Sequence, residues 1–343
     1  MLYYKILLQL TSNKQNRKVI LQYKRNTWKE TFFMTKTKFW RMITIVLIVI
    51  VSNTLVYGES YKIVDTGQIK CFDNSNQITP ASVGSAYYGQ DAQYSNFQPS
   101  YTDNGDGTVT DNVTGLVWEK GYIRCDYDQS QALALQATTG GYTDWRVPTI
   151  KELFSLINFT GNEGSGNVNS NTPPSDAVPF INTKVFDFDY PSDPTSRYID
   201  VQFISSTEYV GTVMSGMQAF FGVNFADGRI KGYPQSGTRG NWYLRLVRAG
   251  DAYGVNNFSD NGDGTITDST TGLMWSQEDS GSDIFNSMMS QFIQDDGTLN
   301  WQEALEFAET VEFAGYSDWR LPNVKELQSI VGVIFKCCGL TFK

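Results

Sequence analysis

The chain has 343 residues, enough for about two domains, and apolar side chains make up 41% of it. Its first 41 residues carry ten basic side chains and one acidic one, which leaves 17 basic and 35 acidic residues for the rest. That acidic body argues against a nucleic-acid partner, and the absence of histidine excludes Ser–His and Cys–His nucleophile pairs.

An apolar run over residues 42–51 follows a basic flank and gives way to three polar residues. This layout predicts a signal peptide over residues 34–58, cut after Gly58, with residues 1–33 as an extension or the product of a mis-set start codon. The alternative is an uncleaved membrane anchor over residues 42–57, although this run is shorter than the roughly 20 residues that a spanning helix needs. We expect an exported protein, in the periplasm, on the cell surface or secreted.

Residues 59–98 form a lead-in segment that is rich in Gly, Ser, Gln and Tyr and has no helical period. They predict a short strand over residues 61–64 followed by an ordered, loop-rich approach to the first domain. Export makes a disulfide between Cys71 and Cys125 one interpretation, and two free buried thiols are the other, because spacing does not establish connectivity.

A hairpin punctuated by glycines opens the first domain and returns 157 residues later: Thr102–Trp118 and Ser259–Trp275 agree at 12 of 17 positions. Asn-Gly and Asp-Gly pairs suit tight turns, because glycine takes positive φ at little cost. Each hairpin also offers hard oxygen ligands, so calcium is a second interpretation, although the spacing is not that of an EF-hand. The candidate calcium ligands are Asp103, Asn104, Asp106 and Asp111, and Asp260, Asn261, Asp263 and Asp268.

A second stretch, Asp-Trp-Arg-x-Pro-x-x-x-Glu-Leu, also occurs twice. Pro148 favours an extended residue before it, and Thr149 with Glu152 predicts a capping box for a helix that reaches about residue 158. The tryptophans are predicted core anchors, and the arginines are predicted to pair with the nearby Asp144 and Asp318. The structural motif comprises Trp118, Asp144, Trp145, Arg146, Pro148 and Glu152, repeated as Trp275, Asp318, Trp319, Arg320, Pro322 and Glu326.

Domain boundaries follow from these repeats: a first domain over 99–250, a linker over 251–257 and a second domain over 258–343. The first domain is predicted to continue with a helix at 129–137, a long loop at 160–178, and strands at 201–205, 218–225, 229–233 and 242–248. The last of these strands is predicted to be half buried, because Trp242, Leu244 and Leu246 alternate with Tyr243 and Arg245. The second has no counterpart for these later strands and is predicted to be truncated. Either the gene product is broken, or a partner chain supplies the missing half.

The hairpin, the Trp-containing helix and the Asp-Trp-Arg-x-Pro stretch together resemble the Legionella collagen-like protein C-terminal domain family, formerly a domain of unknown function. The resemblance covers nearly all of residues 99–250 and the first half of a copy from 258 on. It implies a C-type lectin-like α+β fold with two helices and short antiparallel strands, in an exported, non-enzymatic surface protein. Some members bind sulfated glycans. This chain departs from the family in lacking collagen-like repeats and in carrying Leu246 where many relatives have Cys.

The first functional interpretation is an adhesin-like module that recognises a glycan or a surface protein. The acidic body fits poorly with a sulfated glycan, because like charges repel, and favours a neutral glycan or a protein ligand. A calcium-stabilised structural or interaction domain of an envelope protein is the second interpretation. The third is a hydrolase, either carboxylate-based or similar to formylglycine-generating enzymes, whose catalytic cysteine pair has no match here. We therefore expect no enzyme, no catalytic residues and no cofactor.

Overall fold

A computed structural model describes residues 60–94, 96–236, 242–250, 252–288 and 297–332, and the backbone of three strands near the N-terminus. These strands, β1 (Leu7–Leu10), β2 (Val19–Arg25) and β3 (Trp28–Met34), pair antiparallel in that order and belong to a separate unit, residues 1–57. The predicted signal peptide from residue 35 on, and the alternative anchor, lie outside the described residues. None of the described helices is long and apolar enough to cross a membrane.

The second unit, residues 58–343, mixes α and β structure and consists mostly of short strands. Its described strands are β4 (Cys71–Phe72), β5 (Gln77–Ile78), β6 (Tyr101–Asp103), β7 (Thr108–Asp111), β8 (Val117–Glu119), β9 (Ile123–Cys125), β10 (Gln202–Val213), β11 (Met217–Asn224), β12 (Arg229–Pro234), β13 (Trp242–Leu244), β14 (Val247–Arg248), β15 (Phe258–Asp260), β16 (Thr265–Asp268) and β17 (Leu273–Ser276). Its described α-helices are α1 (Tyr127–Gln136), α2 (Ile150–Ser155), α3 (Asp283–Met288), α4 (Trp301–Thr310) and α5 (Val324–Ile330).

Two sheets form the first domain. One has the order β12-β11-β10-β13-β9, with β10 and β13 parallel, and the other has the order β14-β8-β7-β6. The larger apolar cluster packs α2, through Ile150 and Leu153, against Phe203 and Val223 of the first sheet and Trp118 of the second. Burial of these side chains supplies the main driving force for folding here.

The predicted strand over residues 242–248 differs from the structure in two ways. It breaks into β13 and β14, which belong to different sheets, and it is buried on both faces instead of one. Tyr243 packs into the larger apolar cluster and Leu244 into a second one. Arg245 is fully buried and donates to the backbone carbonyls of Glu119, Lys120 and Asp187, which is how the fold accommodates its charge.

The described part of the second domain has its own hairpin sheet, β15-β16-β17, and a small apolar cluster of three buried side chains, Phe285, Val311 and Phe313. The lead-in segment packs against this domain as well as the first. The predicted strand over residues 61–64 is reduced to one bridge, between Val64 and Phe97, and the segment is instead tied down by its contacts. The ring of Tyr87, for example, lies 5.9 Å from that of Trp301.

A reciprocal contact joins the two domains through α2 and α5. Lys151 donates to the carbonyl of Ser329 (2.6 Å), and Lys325 donates to the carbonyl of Ser155 (2.9 Å). The two lysines, like the two serines, hold equivalent positions 174 residues apart. Such reciprocity is the signature of contact across a twofold axis, here between two parts of one chain. Burial lowers the pKa of Lys151 to about 8 and that of Lys325 to about 7.

Candidate ligand-binding cleft

The Asp-Trp-Arg-x-Pro motif forms a strand-to-helix corner held by an ion pair. Arg146 donates two hydrogen bonds to Glu152 (2.6 and 2.8 Å), and Glu152 also accepts the N–H of Thr149, completing the predicted capping box. Arg320 and Glu326 form the same pair in the second domain. Every position thus has a structural role, and the helix α2 is shorter than predicted.

The predicted partners of the motif arginines are wrong. Asp144 pairs instead with Arg248 (2.7 Å), since Arg146 is already held by Glu152 from the following helix turn. Trp145 is buried, as predicted, and its indole N–H donates to the carbonyl of Thr139. Trp319 makes the equivalent bond but is only partly buried.

The candidate calcium ligands at the hairpin tips have turn-forming roles. Asp106 accepts the N–H and the hydroxyl of Thr108 (3.0 and 2.6 Å), and Asp263 accepts the same groups of Thr265 at the same distances. In each hairpin the preceding Asp accepts a glycine N–H and the Asn side chain donates to a threonine hydroxyl. These residues are Asp103, Asn104, Asp260 and Asn261. The structure therefore does not assemble them into a calcium site, and no described cluster of acidic or Cys side chains could hold a metal ion.

The last candidate ligand of each hairpin, Asp111 or Asp268, is buried beneath it. Burial raises the pKa of Asp111, despite backbone hydrogen bonds, and one of its carboxylate oxygens has no hydrogen-bond partner in the described structure. Burial also disfavours the ionised form of Asp268, but hydrogen bonds donated by Asn257, Asn256 and Thr270 outweigh it and lower the pKa. Both carboxylates accept backbone N–H groups of the turn that follows them.

The predicted disulfide is not formed in this structure. Cys71 and Cys125 are both buried free thiols, the first in the small β4-β5 sheet and the second in the five-stranded sheet. Burial raises the pKa of Cys125 to about 11, which keeps it in the unreactive thiol form. The other interpretation, two buried thiols, describes the observed state.

A cleft of about 1060 Å³ opens on the first domain where the five-stranded sheet meets the loop before β10. Arg124 and Asp126, at the junction of β9 and α1, line one side, and the loop residues Asp193, Arg197 and Asp200 line another. Arg197 is paired with Asp200 (2.6 Å), and Arg124 lies over the ring of Tyr243. Three carboxylates and two guanidinium groups therefore line the cleft, which leaves it slightly acidic.

The cleft also has an aromatic wall. Tyr233 and Trp242 both line it, with ring centroids 5.0 Å apart, and Phe220 packs edge-on behind Trp242 at 5.7 Å. Both lining rings are partly buried, so each presents a fraction of its surface to the cleft. Aromatic rings that are held from behind offer a rigid apolar surface at little entropic cost.

One buried polar side chain on the cleft has unused hydrogen-bonding capacity. Gln202 is 4% exposed, and its amide nitrogen donates to the carbonyl of Ile199 (3.5 Å). Its amide oxygen has no hydrogen-bond partner among the described residues. That oxygen is itself inaccessible to solvent, so the unpaired acceptor costs about 1–3 kcal/mol of stability without offering a ligand contact.

Sequence reasoning did not find this cleft, because its residues come from five separated segments and no one of them carries a motif. The alternation over residues 242–248 correctly placed Trp242 and Leu244 on the same face of a strand. It did not predict that Trp242 lines a cleft. The hairpins and the repeated motif, which have the strongest sequence signals, turned out to stabilise the fold.

The fold and the cleft define a β-rich module with a concave site that is partly polar and partly aromatic. A family model described as the Lcl C-terminal domain matches residues 107–248 and 264–337, which together are more than half of the chain. The chain belongs to this bacterial domain family, as the sequence resemblance predicted. Membership is compatible with a non-catalytic extracellular domain. No curated protein and no solved structure matches the chain significantly.

Proposed function

We propose that this chain is an exported, non-catalytic binding protein whose first domain is a C-type lectin-like module with a neutral glycan in its cleft. The observation that carries the proposal is the aromatic wall, formed by Tyr233 and Trp242, of a cleft whose other lining is largely polar. The apolar face of a sugar ring can lie against Trp242 while its hydroxyls donate to carboxylates of the cleft such as Asp193.

Charge supports a neutral ligand over a sulfated one. The lining has one more carboxylate than guanidinium, and the chain as a whole has a formal net charge of −9. A polyanion would be repelled at both length scales. Family membership and the basic flank before the apolar run at 42–51 support export of the module.

Titration calorimetry of the full chain against neutral and sulfated oligosaccharides tests this function. Trp242→Ala removes the larger ring of the aromatic wall, and we expect neutral-glycan binding to weaken about tenfold. Trp301→Ala, which removes an exposed indole of the second domain, is the matched control and should bind as wild type does. Binding of sulfated glycans alone, or neutral-glycan binding that survives Trp242→Ala unchanged, would contradict the proposal.

A further inference from the structure

The second domain has an open sheet edge beside a cavity of about 660 Å³. β17 pairs with β16 on one side, and within the described residues no strand pairs with its other side. The equivalent strand of the first domain, β8, is paired on both sides, by β7 and β14. An open edge presents backbone N–H and C=O groups that can pair with another polypeptide.

The first domain shows what fills the same place. Val247 of β14 exchanges two backbone hydrogen bonds with Arg146 (2.9 and 3.0 Å) and pairs with Trp118 of β8. The counterparts of Arg146 and Trp118 are Arg320 and Trp275, and both line the cavity of the second domain. The cavity therefore occupies the position that a short extended strand holds in the first domain.

The apolar floor of this cavity is uncovered. Leu153 of α2 is fully buried in the first domain, whereas its counterpart Leu327 on α5 is 47% exposed. Leu156 is likewise buried in the first domain, whereas its counterpart Ile330, which also lines the cavity, is only partly buried. Covering such side chains is favourable by about 25 cal/mol for each Å² of apolar surface removed from water.

The rim of the cavity has the same groups that hold a guanidinium group in the first domain. In the first domain Arg248 follows Val247, donates to Asp144 (2.7 Å) and lies 3.8 Å above the ring of Tyr142. The counterparts of the carboxylate and the ring are Asp318 and Tyr316, and both line the cavity. An acidic group beside an exposed aromatic ring is a site for Arg.

We propose that the cavity binds an extended segment of a different protein, which adds as a strand to the open edge of β17. The segment has a branched apolar residue that pairs with Trp275, followed by Arg for the site at Asp318 and Tyr316. Main-chain hydrogen bonds give affinity in such strand addition, and the two side chains give specificity. A second copy of this chain cannot easily supply the strand, because its own β14 is already paired within its first domain.

A labelled synthetic peptide with the sequence of residues 242–250 serves as the probe, and fluorescence anisotropy measures its binding to the full chain. We expect saturable binding that weakens about tenfold in Asp318→Lys, because the guanidinium site then repels the peptide. A peptide with Arg248→Glu should bind wild type equally weakly and recover affinity on Asp318→Lys. Asp144→Lys, the same change at the occupied site of the first domain, is the matched control and should leave peptide binding unaltered.

Four outcomes would overturn the proposal. One is the absence of binding to both the full chain and a chain that stops at Gly332. Another is binding only after residues 333–343 are removed, which would assign the cavity to the chain's own C-terminal residues. The third is binding that is indifferent to the charge at residue 318. The fourth is self-association that the peptide abolishes, which would assign the cavity to a second copy.

Discussion

At the scale of single residues, each motif glutamate combines several structural roles. Glu326 accepts two hydrogen bonds from Arg320 and one from the N–H of Asn323, the helix cap, while its own side chain is almost fully buried. Removing one partner of a buried, hydrogen-bonded ion pair is strongly destabilising, because the other charge is left without compensation. The repeated sequence motif therefore specifies a corner of the fold.

Glu326→Gln should destabilise the chain by about 2–3 kcal/mol, the usual loss for hydrogen bonds to a charged group. The amide keeps the shape of the side chain but can no longer accept from all its donors, and it leaves the Arg320 charge unbalanced. Urea denaturation of the full chain measures the effect. Glu306→Gln, on the exposed face of α4, is the control. Equal stability of the two variants would show that the corner does not depend on the ion pair.

Lys325 should make stability depend on pH. Burial lowers its pKa to about 7 in the folded chain, against roughly 10.4 when unfolded, so between these values the unfolded chain binds the extra proton. The free energy of unfolding should therefore rise from pH 7 upward, by at most about 1.4 kcal/mol per pH unit from this group, and be flat from it below pH 7.

Lys325→Met should flatten that rise, most clearly between pH 7 and 8, because Lys151 adds a slope of the same sign only from about pH 8. Denaturant titrations at pH 6, 7, 8 and 9 give the slope. Lys70→Met removes an exposed lysine and should leave the wild-type profile intact. A variant that keeps the full rise between pH 7 and 8 would show that Lys325 is not the titrating group.

At the scale of secondary-structure elements, the sequence predicted what depends on local chemistry. Capping boxes at Thr149 and Asn323 and the hairpin turns were correct, because each depends on residues within a few positions of one another. For the strand over 242–248, the alternation predicted one solvent-exposed face that includes Arg245. Its burial depends on carbonyls more than 50 residues away along the chain, which no local pattern encodes.

The hairpin carboxylates should stabilise turns independently of calcium. Asp106→Ala and Asp263→Ala each remove an acceptor for a threonine N–H and hydroxyl, so both variants should melt at a lower temperature than wild type. Calorimetric scans with calcium and with a chelator should give the same loss. A loss that appears only with calcium present would restore the metal interpretation that the geometry does not support.

At the scale of the whole molecule, the arrangement of the two domains could not be predicted from the sequence. The repeats indicated one complete and one incomplete domain, but not that the lead-in segment contacts both. The side chain of Lys325 donates to the backbone carbonyls of Asp65 in the lead-in segment and Ser155 in the first domain, at 2.9 Å each. These contacts join residues separated by 260 and 170 positions, and their pairing becomes visible only once the chain is folded.

The second domain should depend on this junction for its stability. Among the described residues its apolar cluster has three buried side chains, against seventeen in the larger cluster of the first domain, and so small a cluster supplies little stability alone. While the junction is intact we expect the full chain to unfold in one calorimetric transition. Lys151→Ala combined with Lys325→Ala removes both reciprocal hydrogen bonds and leaves helix carbonyls unpaired at the ends of α2 and α5.

In that double variant we expect a second unfolding transition at lower temperature. The fluorescence of Trp319 should change in this transition, and the contribution of Trp319 is identified as the signal that Trp319→Phe removes in the same background. Lys184→Ala, an exposed substitution in the first domain, should leave a single transition. Two transitions in the wild-type chain would show that the second domain is stable without the first. One transition in the double variant would show that the lead-in segment, and not the two reciprocal lysine hydrogen bonds, couples the domains.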